Sequence, residues 1–374
     1  MFRAARFPVQ QARCILRKPH GYGQFQRRGF FEVPMVLVPP LYFLGLGVAM
    51  WTWKCFMMVT FQNKIIYMPG LPPNSRQETI ANYQKECLGI KWREEKIKST
   101  DNTAISLCVA EVSCGSATKD QGRLQMVYVL YFQGNAASLP PRLPFLSTVP
   151  RNLEKLSPAH KVSIQYVFVC CSYRGYWKSR GRPSEKGLMK DAEATMRWVK
   201  KDLEARSDSD GCDVVLWGQS IGAGVVTGLA AKCGIFSDEL RLQKLILETP
   251  FLGIKDMLET LYPQKWLPYR HLHPFLRNHL DSWKALGELR ERTHKSGSRP
   301  PQILILQAGK DELVPESHGG MLEKRCSDLA FEVKREVIQS ALHNEVLLRG
   351  GGSSIIAEAL RDVGLEQSRV VKDL

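Results

Sequence analysis

The sequence lacks the marks of a metal or disulfide scaffold. It has ten cysteines, but no two form a C-x-x-C pair, and several sit in apolar strand-like runs where cysteine is a small buried hydrophobe. That pattern excludes a zinc finger or disulfide framework, and no metal site is expected. No Asn-x-Ser/Thr sequon occurs, which argues against a heavily glycosylated secreted protein. No acidic residue precedes Glu32, and no internal repeat is present. Although the formal net charge is +15, no basic face with interleaved aromatics and no nucleic-acid reader motif accompanies it. A nucleic-acid partner is therefore not expected, and the basic surface suits anionic lipid headgroups. Hydrophobic residues at 44% and charged residues at 24% of 374 are ordinary for a globular protein, so disorder is not the default reading.

What is there begins with a basic tail, residues 1–32, where seven Arg and Lys face one acid and contribute +6. An apolar stretch, residues 33–61, follows with Lys54 as its one charged residue. Its uncharged part, Val33–Trp53, has 21 residues, enough for a helix to cross the ~30 Å hydrocarbon core. Pro34, Pro39 and Pro40 interrupt its first half, so a helix from near Pro40 to about Phe61 fits equally well. Tyr42, Trp51 and Trp53 are aromatics of the kind enriched at bilayer interfaces. A single-pass membrane anchor near the N-terminus is expected, with membrane lipids as partners. The tail fits the positive cytosolic flank of a signal anchor in the endoplasmic reticulum or endomembranes, with the catalytic domain in a lumen, and equally a mitochondrial presequence, the plain alternative being a disordered tail.

Residues 62–90, with Gly70-Leu-Pro-Pro-Asn-Ser75, read as a linker, and residues 91–374 as one catalytic domain. Lys91–Ser99 and Thr103–Val112 form a hairpin around Asp101-Asn102. Strand-like runs then alternate with helical ones: Met126–Phe132, Ile164–Cys171, Val214–Trp217, Leu245–Leu247, Ile303–Leu306 and Phe331–Ile338. This alternation predicts an α/β fold, a mostly parallel sheet with helices on both faces. Glu185–Leu203 is a helix with Ser184 as its cap, and a last helix runs from Ser353 to Val363, ended by Gly364. The stretch of about residues 251–301 breaks the rhythm with Trp, Tyr, His, Pro and Leu, and reads as a small cap insertion. Part of its apolar surface, Trp266 and Leu267 included, is expected to line an acyl pocket.

Gly218-Gln219-Ser220-Ile221-Gly222 follows a strand directly and opens an apolar helix. A serine between glycines at such a junction is lifted above the sheet, so Ser220 is the candidate nucleophile and Gly218 and Gly222 permit the turn. Its base and acid should lie on loops after later strands. Asp311 follows Ile303–Leu306, and His343 follows Phe331–Ile338. Glu312 competes for the acid and His318 for the base. The oxyanion hole is expected from the Ile221 N–H and from the loop after Met126–Phe132, with Asn135 as donor. Gly134 is read as the residue that turns that loop inward.

These stretches, with Tyr173-Arg-Gly-Tyr-Trp-Lys-Ser, Gly181-Arg-Pro-Ser-Glu, Gly309-Lys-Asp-Glu-Leu-Val-Pro and His343-Asn, resemble the membrane-anchored α/β-hydrolase-domain proteins, close to the budding-emergence (Bem) group. The resemblance implies the α/β-hydrolase fold and a triad of Ser220, Asp311 and His343. That group often carries His-Gly-Asn where this chain has Gln133-Gly134-Asn135, a difference that leaves the backbone donors in place. Related proteins cleave acyl thioesters, lipid esters or peptide bonds.

The expected function is therefore a serine hydrolase acting on acyl esters or thioesters of a lipid or an acylated protein, as a monomer and without a cofactor. The other readings are a serine peptidase-like hydrolase and a non-catalytic membrane scaffold. Tyr173 and Arg174 sit on a loop that borders the site or serves the fold, and a structural role is favoured for Arg174.

Overall fold

The computed structural model describes residues 34–115, 125–136, 138–156, 163–206 and 211–370. The basic tail read from residues 1–32 lies outside them. The chain divides into two units, residues 1–50 and 51–374. A helical turn at Met35–Leu37 leads into α1 (Val38–Thr60). Pro39 and Pro40 fall in its first turn, where backbone N–H groups have no helical partner to lose, so they start the helix instead of breaking it. Met35–Thr60 is 26 residues of apolar helix, with none of its residues buried, and long enough by length and composition to cross a bilayer.

In the second unit, α2 (Gln62–Tyr67) and α3 (Ile80–Tyr83) precede the sheet. Its strands are β1 (Trp92–Lys98), β2 (Ala104–Cys114), β3 (Gln125–Phe132), β4 (Ile164–Ser172), β5 (Cys212–Gln219), β6 (Leu240–Glu248), β7 (Gln302–Ala308) and β8 (Val333–Ile338). The order is β1-β2-β4-β3-β5-β6-β7-β8. β1 and β2 form the expected hairpin, Ile97 opposite Ile105, and β2 runs antiparallel to β4. Every later pairing is parallel. Parallel neighbours need crossover connections, which the helices supply: α4 (Leu143–Leu146), α5 (Thr148–Leu156), α6 (Glu185–Ala205), α7 (Ile221–Ala231), α8 (Ile254–Leu261), α9 (Ser282–Ser296), α10 (Glu316–Asp328) and α11 (Gly352–Val370).

The central strands are buried on both faces, and alternate residues feed two cores. Tyr128, Leu130 and Val214 pack with Leu188, Val225 and Leu286 of α6, α7 and α9. Val127, Val129 and Val215 pack with Leu153 of α5 and Ile356 and Leu360 of α11. This two-sided burial is why the strands read as continuous apolar runs rather than alternating ones.

Two details depart from the sequence reading. Helix α11 does not end at Gly364 but continues to Val370. A Cβ at Gly364 would lie 2.4 Å from the Tyr166 hydroxyl, so this glycine admits close packing on β4 and is not a stop signal. The second concerns Trp266, which is exposed with its ring centroid 5.7 Å from that of Trp51, so its ring packs against α1.

Arg174, on the loop after β4, is a fold residue. Its guanidinium is buried, pairs with Asp191 of α6 at 2.7 Å and with Asp101 of the β1–β2 turn at 2.8 Å, and donates to Ser99. It ties hairpin, loop and helix together. Gly187 makes room for it, since a Cβ there would sit 2.5 Å from Arg174 Cδ.

Candidate active site

The elbow is built from crowding. β5 ends at Gln219, Ser220 turns at φ 53 and ψ −115, and α7 begins at Ile221. A Cβ on Gly218 would lie 2.2 Å from the Gly222 carbonyl oxygen, and one on Gly222 would lie 2.0 Å from that of Phe132. No side chain fits at either position. The Ser220 N–H donates to Glu248 O at 2.8 Å, and the Ala223 N–H to Ser220 O at 2.9 Å, which hold the left-handed residue in place. Gly224 allows Leu280 to pack on α7, with Leu280 Cβ 2.8 Å from where a Cβ would be.

The loops after β7 and β8 are zipped together. Gly309 N–H donates to Ile338 O at 2.9 Å, and Lys310 N–H to Ala341 O at 3.0 Å. They bring Asp311 to His343, whose Nδ1 lies 2.8 Å from Oδ2 and 3.0 Å from Oδ1, with both side chains nearly buried. Asp311 Oδ1 also accepts the N–H groups of Leu313 and Val314, at 2.9 and 2.8 Å, which fixes the carboxylate. Glu312 accepts the backbone N–H of His343 at 3.0 Å instead of a ring nitrogen. His318 is buried at the start of α10 with Nδ1 unpartnered among the described residues, and burial holds its pKa below the ordinary histidine value. Of the two competing pairs, only Asp311 and His343 meet.

An amide and a carboxyl that the sequence reading missed join the elbow to the histidine loop. Gln219 Nε2 donates to Glu248 Oε1 at 3.2 Å and to Asn344 Oδ1 at 3.5 Å. Its oxygen accepts from the Tyr131 hydroxyl at 3.1 Å and from Arg142. Glu248 is fully buried at the end of β6, and its Oε2 accepts from Trp217 Nε1 at 2.9 Å. The signal was an acid closing the apolar run Leu245-Ile-Leu-Glu248 at a strand's carboxyl end.

Burial raises the Glu248 carboxyl from an ordinary value near 4.5 to about 7, against the opposing pull of its hydrogen bonds, Arg142 and His343. The folded state thus holds this proton more tightly than the unfolded state. The resulting stability is present in full below pH 4.5 and is lost as pH rises through 7, to the extent of roughly 3 kcal/mol. Glu248→Gln is expected to flatten this slope, with equilibrium denaturation in detergent at pH 5 and pH 8 as the measurement. An unchanged pH slope in the variant would assign the proton elsewhere.

The loop after β3 abuts the elbow, as the Cβ position of Gly134 lies 3.5 Å from Ser220 Cβ. The left-handed residue of this loop is Ala136, φ 56, whose N–H donates to Tyr67 O at 3.1 Å. Gly134 has a negative φ and room for a Cβ, so the turn does not depend on it. Asn135 lies next to Gly134 in this loop, and the Ile221 N–H falls in the first turn of α7, where backbone donors have no intrahelical partner. The Gln133 side chain is buried with neither amide atom hydrogen-bonded among the described residues. No group of three or more metal-ligating side chains occurs among those residues.

No protein-family model matches the chain. Protein bem46 of Schizosaccharomyces pombe is 29% identical over 306 residues, covering 81% of this chain and 86% of that protein. The lysophosphatidylserine lipase ABHD12 of Danio rerio is 29% identical over 209 residues, 55% of this chain and 48% of that one. Among solved structures, an α/β-hydrolase from Vibrio vulnificus superposes with a TM-score of 0.54 at 16% identity, covering 84% of this chain and 92% of the other. The last comparison speaks for the α/β-hydrolase fold, and the first is a likeness to bem46 along about four fifths of the chain.

Proposed function

We propose that the chain is a membrane-anchored serine hydrolase that cleaves acyl esters or thioesters of a lipid or an acylated protein. The observation that carries this reading is Ser220, held left-handed on a strand-to-helix turn whose neighbour Gln219 reaches Asn344, next to the Asp311–His343 pair. Ser220 Oγ attacks the acyl carbonyl while His343 Nε2 takes its proton, and Asp311 orients the ring and balances the imidazolium. The carbonyl oxygen becomes an oxyanion received by the N–H groups of Ile221 and Asn135, helped by the positive end of α7. Collapse expels the alcohol or thiol, which leaves with the proton from Nε2. Water then attacks the acyl-serine, gives a proton to His343, and releases the acid as Ser220 regains its hydrogen. The likeness to ABHD12, a lysophosphatidylserine lipase, favours a lipid acyl ester as substrate. Met35–Thr60 would hold the enzyme at its substrate's own membrane.

A fluorophosphonate probe tests the nucleophile. The wild-type chain should label and Ser220→Ala should not, with circular dichroism unchanged because one hydroxyl is lost on a short turn. Equal labelling of the two would move the nucleophile away from Ser220, and labelling of neither would favour the scaffold reading.

A further inference from the structure

The segment between α8 and α9 does not fold back wholly onto the domain. From Leu261 to Arg277 it contains Lys265, Arg270 and Arg277 and no acid. Three large apolar side chains on it stand in the open: Leu261 is 59% exposed, Trp266 68% and Phe275 60%. Isolated exposed apolar residues are ordinary, but these share one short basic segment, and the segment runs alongside the apolar helix.

The contacts with α1 come in sequence. The Trp266 ring meets Trp51. One turn further along the helix, the Lys54 ammonium lies 4.3 Å from the centre of the Tyr269 ring. At its end Arg277 Nη2 donates to the carbonyls of Val59 and Thr60, both at 3.0 Å, capping carbonyls the helix leaves unpaired. Gln62 then closes the ladder, donating to Phe275 O at 3.1 Å and accepting from the Arg277 N–H at 2.7 Å. From Trp51 to Val59 is eight residues, about 12 Å along the axis. The segment therefore tracks the last turns of the helix and carries Trp266 toward its apolar part.

A span needs about 20 residues to cross hydrocarbon, and counted from Met35 these end at Lys54. Trp51 and Trp53 then lie at the interface, where amphipathic rings settle, and Lys54 reaches the headgroups. Trp266, in contact with Trp51, shares that depth.

We infer that residues 261–277 form an interfacial surface that dips into the headgroup layer of the bilayer holding α1, with Trp266 in the lipid boundary and Lys265, Phe275 and Arg277 among the headgroups. This rests on Met35–Thr60 being a membrane anchor. The occupant is lipid because Trp266 stands exposed beside Trp51 of the helix and the segment's charges are basic, Lys265 and Arg277 beside an Arg270 that pairs with Glu259 of α8. The consequence for the proposed reaction is direct: an amphiphile leaving the bilayer meets the cap without crossing water.

The test uses the full chain in phosphatidylcholine vesicles, with and without phosphatidylserine. With Cys14, Cys55 and Cys233 replaced by serine, Trp266→Cys and Phe275→Cys each receive an environment-sensitive fluorophore. A control keeps Cys233, exposed just beyond the end of α7, on the connection that leads to the amino end of β6. Circular dichroism checks each variant, and two exposed positions guard against one failing to fold. Labels at 266 and 275 should emit to the blue and lose most of their emission to a lipid quencher placed near the headgroups, more so with phosphatidylserine, while the Cys233 label responds to neither. If carbonate leaves the chain in the vesicles and both labels behave like Cys233, the interfacial surface is refuted and the anchor stands. Labels shielded from aqueous iodide but not quenched by lipid, in chains that cross-link, would hand the surface to a second copy and overturn the inference. Release of the chain by carbonate would remove the anchor and the inference with it.

Discussion

Asp311→Asn is expected to lower turnover by about four orders of magnitude while leaving the chain folded. Asp311 Oδ1 accepts two backbone N–H groups, from Leu313 and Val314, and an asparagine oxygen can keep both. Its amide nitrogen then faces His343 Nδ1, where Oδ2 stood at 2.8 Å. A donor there forces the ring proton onto Nε2, and the imidazole can no longer accept from Ser220. The turn survives and the chemistry does not. Glu312→Gln serves as the comparison, because a glutamine oxygen can still accept the His343 backbone N–H, and its effect should be small. The measurement is kcat/KM on a chromogenic acyl ester, and a larger loss in Glu312→Gln than in Asp311→Asn would reassign the acid.

The largest expected effect on stability lies outside the site. Arg174→Met should cost about 3–5 kcal/mol, since it strands the fully buried carboxylate of Asp191 and a second carboxylate at Asp101. Replacing both partners, as Arg174→Met with Asp191→Leu, should recover much of that loss, because an apolar pair leaves no unpaired charge inside. Chemical denaturation of the two variants beside the wild type reads both quantities. A loss under about 1 kcal/mol, the usual scale of an exposed pair, would mean that the guanidinium is solvated in solution.

The sheet was legible because its central strands are buried on two faces and so write themselves as apolar runs. Hairpin, the succession of strands and helices along the chain, and elbow all follow from local pattern. Gly218 and Gly222 were readable for a steric reason, and the alternation of strand and loop led to Asp311 and His343. What stayed hidden depended on contacts far apart in sequence. Glu248 is unusual only because folding strips its water, which no short window reveals. Gly364 looked like a stop since its neighbour Tyr166 lies some 200 residues away. Trp266 counted as one more apolar residue of a cap until the fold brought it to Trp51. Gln133 is a buried amide without a described partner, and nothing around it in the sequence says so.

The backbone at Ser220 carries a consequence for how such a chain changes over time. A residue other than glycine held at φ 53 gives up on the order of 1–3 kcal/mol of folding stability. Glycine would relieve that strain and is a single nucleotide change from some serine codons. Drift toward a more stable protein therefore has a short path at this position, and it ends in a chain that folds better and has lost its hydroxyl. Screens that reward thermal stability alone would be drawn down that path, so any stabilisation of this fold has to be scored with a second selection for the serine.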